Sequence, residues 1–348
     1  MMENGDIIHV VLAVHDPKGT YSRHAAVVMV TIFERTSSPV CVHILHDETL
    51  TELNRGRLSE TAESFGQNVE FHDVSSYVRA IAGDMAEILR NWSIGIIFKL
   101  FTPDVLTLDK IICLDCDILV NLDIRELWDI PLDGCSVAGV SNALCRGRFS
   151  AAAFRKRLMG LDWQKSIGAG VLVMDLSRIR AGHNFIAELV SWIERYKHCA
   201  DAIDEEFILH CFLNDIKVIA EKFNSDAAYG ISDRIIHTFG KRKLWDVRDG
   251  SELEHIYWRT CLKTAWGSSA ADVVDLMIDT SKTSPFMHRR TSRCYARILD
   301  RLRMDILRRV LHVIEIIRLG LIDLRLRRSL SPARGPRKTA DGSDNPGK

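Results

Sequence analysis

The chain has 348 residues, 47% hydrophobic and 26% charged, an ordinary soluble composition that can bury a sizeable core in one large domain or two smaller ones. Its nine cysteines are scattered, odd in number and without framework spacing, which fits reduced thiols in a cytosolic protein better than a disulfide scaffold. No stretch reaches the roughly 18 uncharged apolar residues of a membrane span, and MMENGDIIHVVLAV has neither the basic start nor the apolar length of a signal peptide. The formal net charge of zero conceals an asymmetry: residues 289–348 hold 14 Arg and 2 Lys against 5 Asp and 1 Glu, a net +10, which leaves −10 on residues 1–288.

In chain order, IIHVVLAV (7–14) predicts a buried strand. A loop, HDPKGTYSRH, and a helical pattern, AAVVMVTIFERT, follow it. A second strand spans 40–47, a helix runs from about 52 to 65, and a third strand, VEFHDV, covers 69–74. Strands alternating with helices at this spacing predict βαβ units and a parallel sheet with helices on both faces, whose ligands sit beyond the carboxyl ends of the strands. A further helix is expected around 84–101, then a strand at 111–114. IRELWDI reads as a short helix, CSVAGVSNA as a strand, and SIGAGVLVMDLSRIR (166–180) as a strand leading into a helix. FIAELVSWIERYKHC and IDEEFILHCFLND (203–215) read as helices, KVIAEKFN and RIIHTF as short strands. No repeat of 20–50 residues is present.

The strand IICLDCDILVNL (111–122) runs from four apolar residues into two aspartates. Alternation along a strand puts Asp115 and Asp117 on one face and Cys116 on the other. Two carboxylates at a strand end make a hard oxygen site for Mg²⁺ or Mn²⁺, whose remaining positions are filled by substrate phosphate oxygens. Three other readings fit the residues: solvated aspartates in a turn, a Cys113/Cys116 C-x-x-C zinc or redox pair, and a phosphatase whose first aspartate is the nucleophile. The strand separates the two sulfurs, and a phosphatase strand opens its domain rather than following about 110 residues of α/β structure. Further along, IIHTFGKRKLW (235–245) holds H-x-x-G-x-x-K-x-W. Its histidine can complete a metal triad better suited to Mn²⁺ than Mg²⁺. The glycine allows close backbone approach to a phosphate, and the lysine offers a point charge.

Taken together, VVLAVHD with Tyr21, VHILHD, IICLDCDILV followed by LWDI, GAGVLVMDL, EKFN and IIHTFGKRKLW make the chain resemble the family 8 glycosyltransferases from about Ile7 to Gly267. The resemblance implies an α/β GT-A glycosyltransferase fold, with a Rossmann-like, mainly parallel sheet flanked by helices. It also implies a UDP-sugar donor, a saccharide acceptor, Mn²⁺ (or Mg²⁺) as cofactor, and transfer with retention. By the same resemblance Asp115, Asp117 and His237 bind the metal, and Gly240 and Lys243 hold the diphosphate. Asp16, Tyr21, Asp115 and Cys116 contact the nucleotide, while Lys99, Asn142, Ala169 and Gly170 line the donor sugar. Asp204 and Glu205 act at the reacting centre. Several positions depart from the family pattern: Lys99 replaces an arginine and loses its bidentate fork, Gly168 stands where an asparagine is common, and Glu205 replaces a glutamine. A carboxylate there can serve as nucleophile or stabilise oxocarbenium charge better than an amide.

Between Arg289 and Arg328 apolar residues recur at helical spacing among twelve arginines. Such a helix can lie on an anionic membrane surface or pack its apolar stripe on the catalytic domain. No aromatic interleaving accompanies the charge, and no nucleic acid is expected as partner. The organisation expected is therefore a GT-A catalytic domain over 1–287, a basic amphipathic helical extension over 288–328 and a disordered tail over 329–348. The protein is expected in the cytoplasm, peripheral at the inner face of a membrane, with a lipopolysaccharide or other cell-envelope glycan as acceptor. A degenerate sugar-nucleotide binding module and a D-x-D phosphatase remain as alternatives.

Overall fold

The computed structural model describes residues 7–85, 93–142, 151–226, 229–238, 243–246 and 251–267. The basic extension at 288–328, the tail at 329–348 and Gly240 lie outside the described residues. The elements in chain order are β1 (Ile8–Val14), α1 (Ser22–Phe33), β2 (Val40–His46), α2 (Glu52–Ser64), β3 (Asn68–Asp73), α3 (Ser75–Met85), α4 (Thr102–Val105), β4 (Lys110–Leu114), β5 (Ile118–Asn121) and α5 (Arg125–Trp128). They continue with β6 (Val137–Ser141), α6 (Ala151–Leu158), β7 (Ile167–Asp175), α7 (Leu176–Gly182), α8 (Phe185–Tyr196), α9 (Ile203–Phe212), β8 (Ile216–Ile219), β9 (Arg234–His237) and α10 (Glu252–Cys261).

Seven strands form one sheet in the order β3-β2-β1-β4-β7-β6-β8, and β5 pairs with β9 in a second, two-stranded sheet. The large sheet is mainly parallel, as expected: β1 runs parallel to β2 and β4, β2 to β3, and β6 to β8. β7 is the exception, antiparallel to both β4 and β6. The alternation of β1 is legible in its packing. Val11 joins a cluster with Phe98, Trp192 and Phe207 on one face, while Val10 and Leu12 join Met29, Ile32 and Leu58 on the other. Helices therefore cover both faces, which is why the strands read as near-continuous apolar runs.

All twelve residues of α1 are buried. The helix lies between the large sheet and the small one: Val27 packs with Leu119, Ile236, Tyr257 and Cys261, and the Thr31 hydroxyl accepts the Val120 amide at 3.2 Å. Each such buried aliphatic side chain stabilises the fold by about 1.5–3 kcal/mol. Other helix starts are fixed locally: the side chains of Thr51, Asp175, Asn184 and Ser251 accept amides of the first turns of α2, α7, α8 and α10.

Two local expectations are corrected. The helix expected around 84–101 is instead α3, ending at Met85, and a 3₁₀ helix at Ile94–Phe101 opened by Ser93, whose hydroxyl accepts the Gly95 amide at 3.3 Å. Gly95 and the branched isoleucines beside it favour that tighter turn over an α-helix. The apolar run 111–122 is two strands rather than one: β4 ends at Leu114 in the large sheet, and β5 begins at Ile118 in the small one. The aspartates occupy the turn between them. Among the described residues no helix is long and apolar enough to cross a membrane.

Candidate active site

The site is built where β4 leaves the large sheet. The Asp115 amide donates to the Gly170 carbonyl of β7 at 2.9 Å, which holds the turn against its antiparallel neighbour. Three residues later the chain enters β5, where Ile118 pairs with His237 of β9. That pairing brings a histidine 120 positions away in sequence onto the aspartates. His237 Nε2 stands 3.2 Å from Asp117 Oδ1 and 3.9 Å from Asp115 Oδ2, and the three side chains can present one donor atom each within 4.8 Å of one another. The Nδ1 atom of the same ring faces the Asn224 side-chain oxygen at 3.0 Å. An amide oxygen only accepts, so Nδ1 donates to it, which orients the ring with Nε2 toward the aspartates.

One imidazole and two carboxylates fit a manganese-class ion. The local packing fits it too: a Cβ on Gly170 would lie 2.6 Å from His237 Nδ1 and 3.1 Å from Asp115 Oδ2, so the ring reaches the aspartates only across a residue without a side chain. Gly168, next on the same face of β7, does the same for Asn224, whose amide nitrogen would be 2.9 Å from an added Cβ. The absent asparagine at 168 thus makes room for the residue that orients His237.

Two lysines neutralise the carboxylates. Lys99, buried on the 3₁₀ helix, donates to Asp115 at 2.5 Å and to the Ala169 carbonyl at 3.0 Å, and pairs with Asp204 at 3.0 Å. Burial alone would lower its pKa, but Asp115 and Asp204 together hold it well above the ordinary lysine value. Lys243 pairs with Asp117. Burial would raise the Asp117 carboxyl, yet the hydrogen bond and charge of His237 and the charge of Lys243 carry it well below the usual range. Three carboxylates thus converge with His237 between two ammonium groups, a set of hard oxygen donors and one imidazole that a divalent cation can use.

The other expected residues are arranged around this centre. Glu205 accepts from the Asn142 side chain at 2.6 Å and stands 3.5 Å from the buried Lys156; burial, the largest influence, raises its carboxyl. Asp204 and Glu205 sit in the first turn of α9, where negative charge is favoured. The Tyr21 hydroxyl lies beside Cys116 and is pushed well up by burial and then by Cys116, Asp117 and Asp115. Cys116 donates to the Ala13 carbonyl at 3.4 Å, and burial raises its thiol. The Asp16 carboxylate faces inward. It accepts the amides of Tyr21 (2.6 Å) and Ser22 (3.2 Å), the Ser22 hydroxyl (2.6 Å) and the Asn54 amide (3.1 Å), so it holds the loop that carries Tyr21.

Sequence reasoning missed Asn224 and the aromatic wall beside Tyr21. His24 stacks on Trp245 at 3.6 Å between ring centres, and Tyr21 meets the same indole edge-on at 6.2 Å. His24 Nδ1 lies 2.5 Å from the Tyr257 hydroxyl, and burial, reinforced by Arg23, drops its pKa well below the usual value. The asparagine of EKFN and the tryptophan of KRKLW were both visible as letters, but their partners lie far away in sequence.

Behind the site Glu206 is fully buried. Burial raises its carboxyl to about 7 against the lowering influence of the Asp201 amide, Arg155 and Lys156. Between its ordinary value of 4.5 and about 7 the folded chain holds a proton that the unfolded chain has released. This contribution is complete below 4.5 and is lost as pH rises through about 7, in total roughly 3 kcal/mol. Glu206→Gln is expected to flatten the fall in Tm between about pH 5 and pH 8; an unchanged slope would exclude Glu206 as its source.

With this geometry in view, residues 14–246 match Glycosyl transferase family 8. General stress protein A of Bacillus subtilis is 24% identical over 213 residues, which cover 60% of this chain and 67% of that protein. The chain spans between about half and two thirds of the length of the curated relatives it matches. Among solved structures, the galactosyltransferase LgtC in complex with donor and acceptor sugar analogs is similar at a TM-score of 0.62 and 21% identity, over 74% of this chain and 96% of that one. The glycosyltransferase GlyE of Streptococcus pneumoniae is similar at a TM-score of 0.53 and 16% identity, over 81% of this chain and 66% of that one.

Proposed function

The chain belongs to glycosyl transferase family 8, and on that premise we propose that it moves a hexose from a UDP-linked donor to a saccharide acceptor, with Mn²⁺ and with retention at the anomeric carbon. The observation that carries this reading is the convergence of Asp115, Asp117 and His237 within 4.8 Å, drawn from the turn after β4 and from β9. These three side chains would hold the ion. Mn²⁺, or Mg²⁺ in its place, supplies Lewis-acid neutralisation of the leaving diphosphate.

The chain's own groups take the remaining parts. Lys243, paired with Asp117, would exchange that carboxylate for a diphosphate oxygen; Gly240 belongs to the same proposed cradle. Tyr21 and Cys116 would frame the nucleotide, on a loop that Asp16 keeps closed from within. Lys99, Asn142, Ala169 and Gly170 would line the donor sugar, with Lys99 anchored between Asp115 and Asp204. Asp204 would accept a sugar hydroxyl. Glu205, held by Asn142 and Lys156, would face the anomeric carbon as nucleophile or as the counter-charge to an oxocarbenium-like centre.

An acceptor in the cell envelope, such as lipopolysaccharide, fits the +10 charge of residues 289–348, which could hold the enzyme at the cytoplasmic face of an anionic membrane. A panel of UDP-sugars with Mn²⁺, Mg²⁺ or chelator, read by UDP release, tests the proposal. UDP from one sugar only, and none with chelator, is the expected result and names the donor. Metal-dependent UDP binding without turnover on any acceptor extract would make the chain a sugar-nucleotide binding module. No UDP binding would overturn the proposed site.

A further inference from the structure

A second group of metal-ligating side chains lies on the large sheet, away from the turn after β4. Cys41, His43 and Leu45 alternate onto the face of β2 that carries the Phe98 cluster, and Glu70 and His72 take the same face of the neighbouring edge strand β3. His43 and Glu70 are direct partners in the parallel register, and His72 lies two residues further along. The side chains meet: His43 Nδ1 stands 3.1 Å from His72 Nε2 and 3.3 Å from Glu70 Oε2, and His72 Nε2 stands 3.7 Å from that same oxygen. In a tetrahedral zinc site with ligands about 2.0–2.2 Å from the ion, neighbouring ligand atoms are separated by about 3.4 Å. The three observed separations bracket that edge length.

We propose that His43, Glu70 and His72 form a second divalent-cation site of zinc class, which ties the edge strand β3 to β2. The donor set is the reverse of that at the aspartates, with two imidazoles and one carboxylate in place of one and two, and this composition favours zinc over manganese. The supporting shell is in place. His43 Nε2 lies 3.0 Å from His9 Nδ1, so a proton on Nε2 leaves Nδ1 free to ligate and fixes the ring. His43 is buried, so its ring is held in place by its surroundings. The Glu70 side chain is 58% exposed and that of His72 22% exposed, which gives an ion an entry path and leaves a fourth position to water. Cys41 groups with His9 and His43, not with Glu70 and His72, and so stands outside the ligand set. Three strand positions separate β3 from β4 in the sheet order, on the order of 14 Å, so the two sites are distinct.

The test uses the full chain, stripped of metal, with Asp117→Asn to weaken the other site, and Zn²⁺ alone as the probe. Calorimetric titration is expected to give one Zn²⁺ per chain, and roughly a hundredfold excess over the dissociation constant should raise Tm by several degrees. His72→Gln or Glu70→Gln, both on partly exposed side chains, should weaken this binding at least tenfold and leave the metal-free Tm unchanged. Cys41→Ser should leave it intact. No Zn²⁺ bound by the Asp117→Asn chain, or binding that His72→Gln and Glu70→Gln leave unchanged, would overturn the site. These readouts are binding and stability, so they stand whether or not the chain proves to be a transferase.

Discussion

Asp117→Ala is expected to lower kcat/KM for sugar transfer by about three orders of magnitude, through loss of a stabilisation of several kcal/mol at roughly 1.4 kcal/mol per tenfold. Asp117 is 6% exposed and takes both His237 and Lys243, so its removal strips a proposed cation ligand and leaves two basic groups without their carboxylate. Breaking a buried pair in this way also threatens stability, and Asp117→Asn separates the two effects. The amide keeps the shape and can still accept from Lys243, so the fold should survive while metal affinity and transfer collapse together. The measurement is kcat/KM over a Mn²⁺ titration for both variants, beside their thermal melts. Near-wild-type transfer by a folded Asp117→Asn chain would remove Asp117 from the proposed machinery.

The same residue shows how far local pattern reaches. The strands at 8–14, 40–46 and 68–73 and the helix at 52–64 were legible because their apolar period and their caps are local, Thr51 and Asn54 being three residues apart. The run 111–122 was legible as a site but not as a shape. Seven of its twelve residues are aliphatic, and nothing in that run says that Ile118 pairs with His237 in another sheet. The antiparallel course of β7 was hidden for a related reason, since a strand buried on both faces reads alike in either direction. Within the site, the motif residues could be named from spacing, whereas the groups that orient them could not. Lys99 bridges Asp115 and Asp204, and Asn224 turns the His237 ring, through contacts that only the folded chain supplies. Asp16 illustrates the converse. Its place after β1 marked it in the sequence, but the four hydrogen bonds that tie it to the loop and to Asn54 did not.

Electrostatics join these parts into one device. The lysines on Asp115 and Asp117 approach from opposite sequence directions, Lys99 from the 3₁₀ helix and Lys243 from beyond β9. Each holds a carboxylate in place in a partly dry setting where two bare aspartates would repel. A dication entering between Asp115, Asp117 and His237 would reverse the local sign, and both lysines would then face a surplus of positive charge that a diphosphate can neutralise. On this argument metal and nucleotide would bind cooperatively. Charge would then favour the cation first and the diphosphate second.

Gly170→Ala tests the packing that this device needs, without touching any charged group. The added methyl would stand 2.6 Å from His237 Nδ1 and 3.1 Å from Asp115 Oδ2. The ring cannot simply retreat, because Asn224 holds Nδ1 at 3.0 Å and the β5–β9 pairing fixes the His237 backbone. It must tilt, and Nε2 then swings away from the aspartates. Disturbing the orientation of a ligating histidine costs about 10–100-fold in metal affinity, so the variant should need about that much more Mn²⁺ for half-maximal transfer. Because the ligands themselves are intact, excess Mn²⁺ should restore most of kcat, which no Asp117 variant would allow. Overpacking of this kind costs about 1–3 kcal/mol of stability, so the chain should stay folded with a lowered Tm. Gly168→Ala acts one step further out, on Asn224 at 2.9 Å, and should give the same shift in Mn²⁺ requirement at smaller size. If Gly170→Ala binds Mn²⁺ as the unaltered chain does, His237 is not a ligand, and the cation site reduces to the two aspartates.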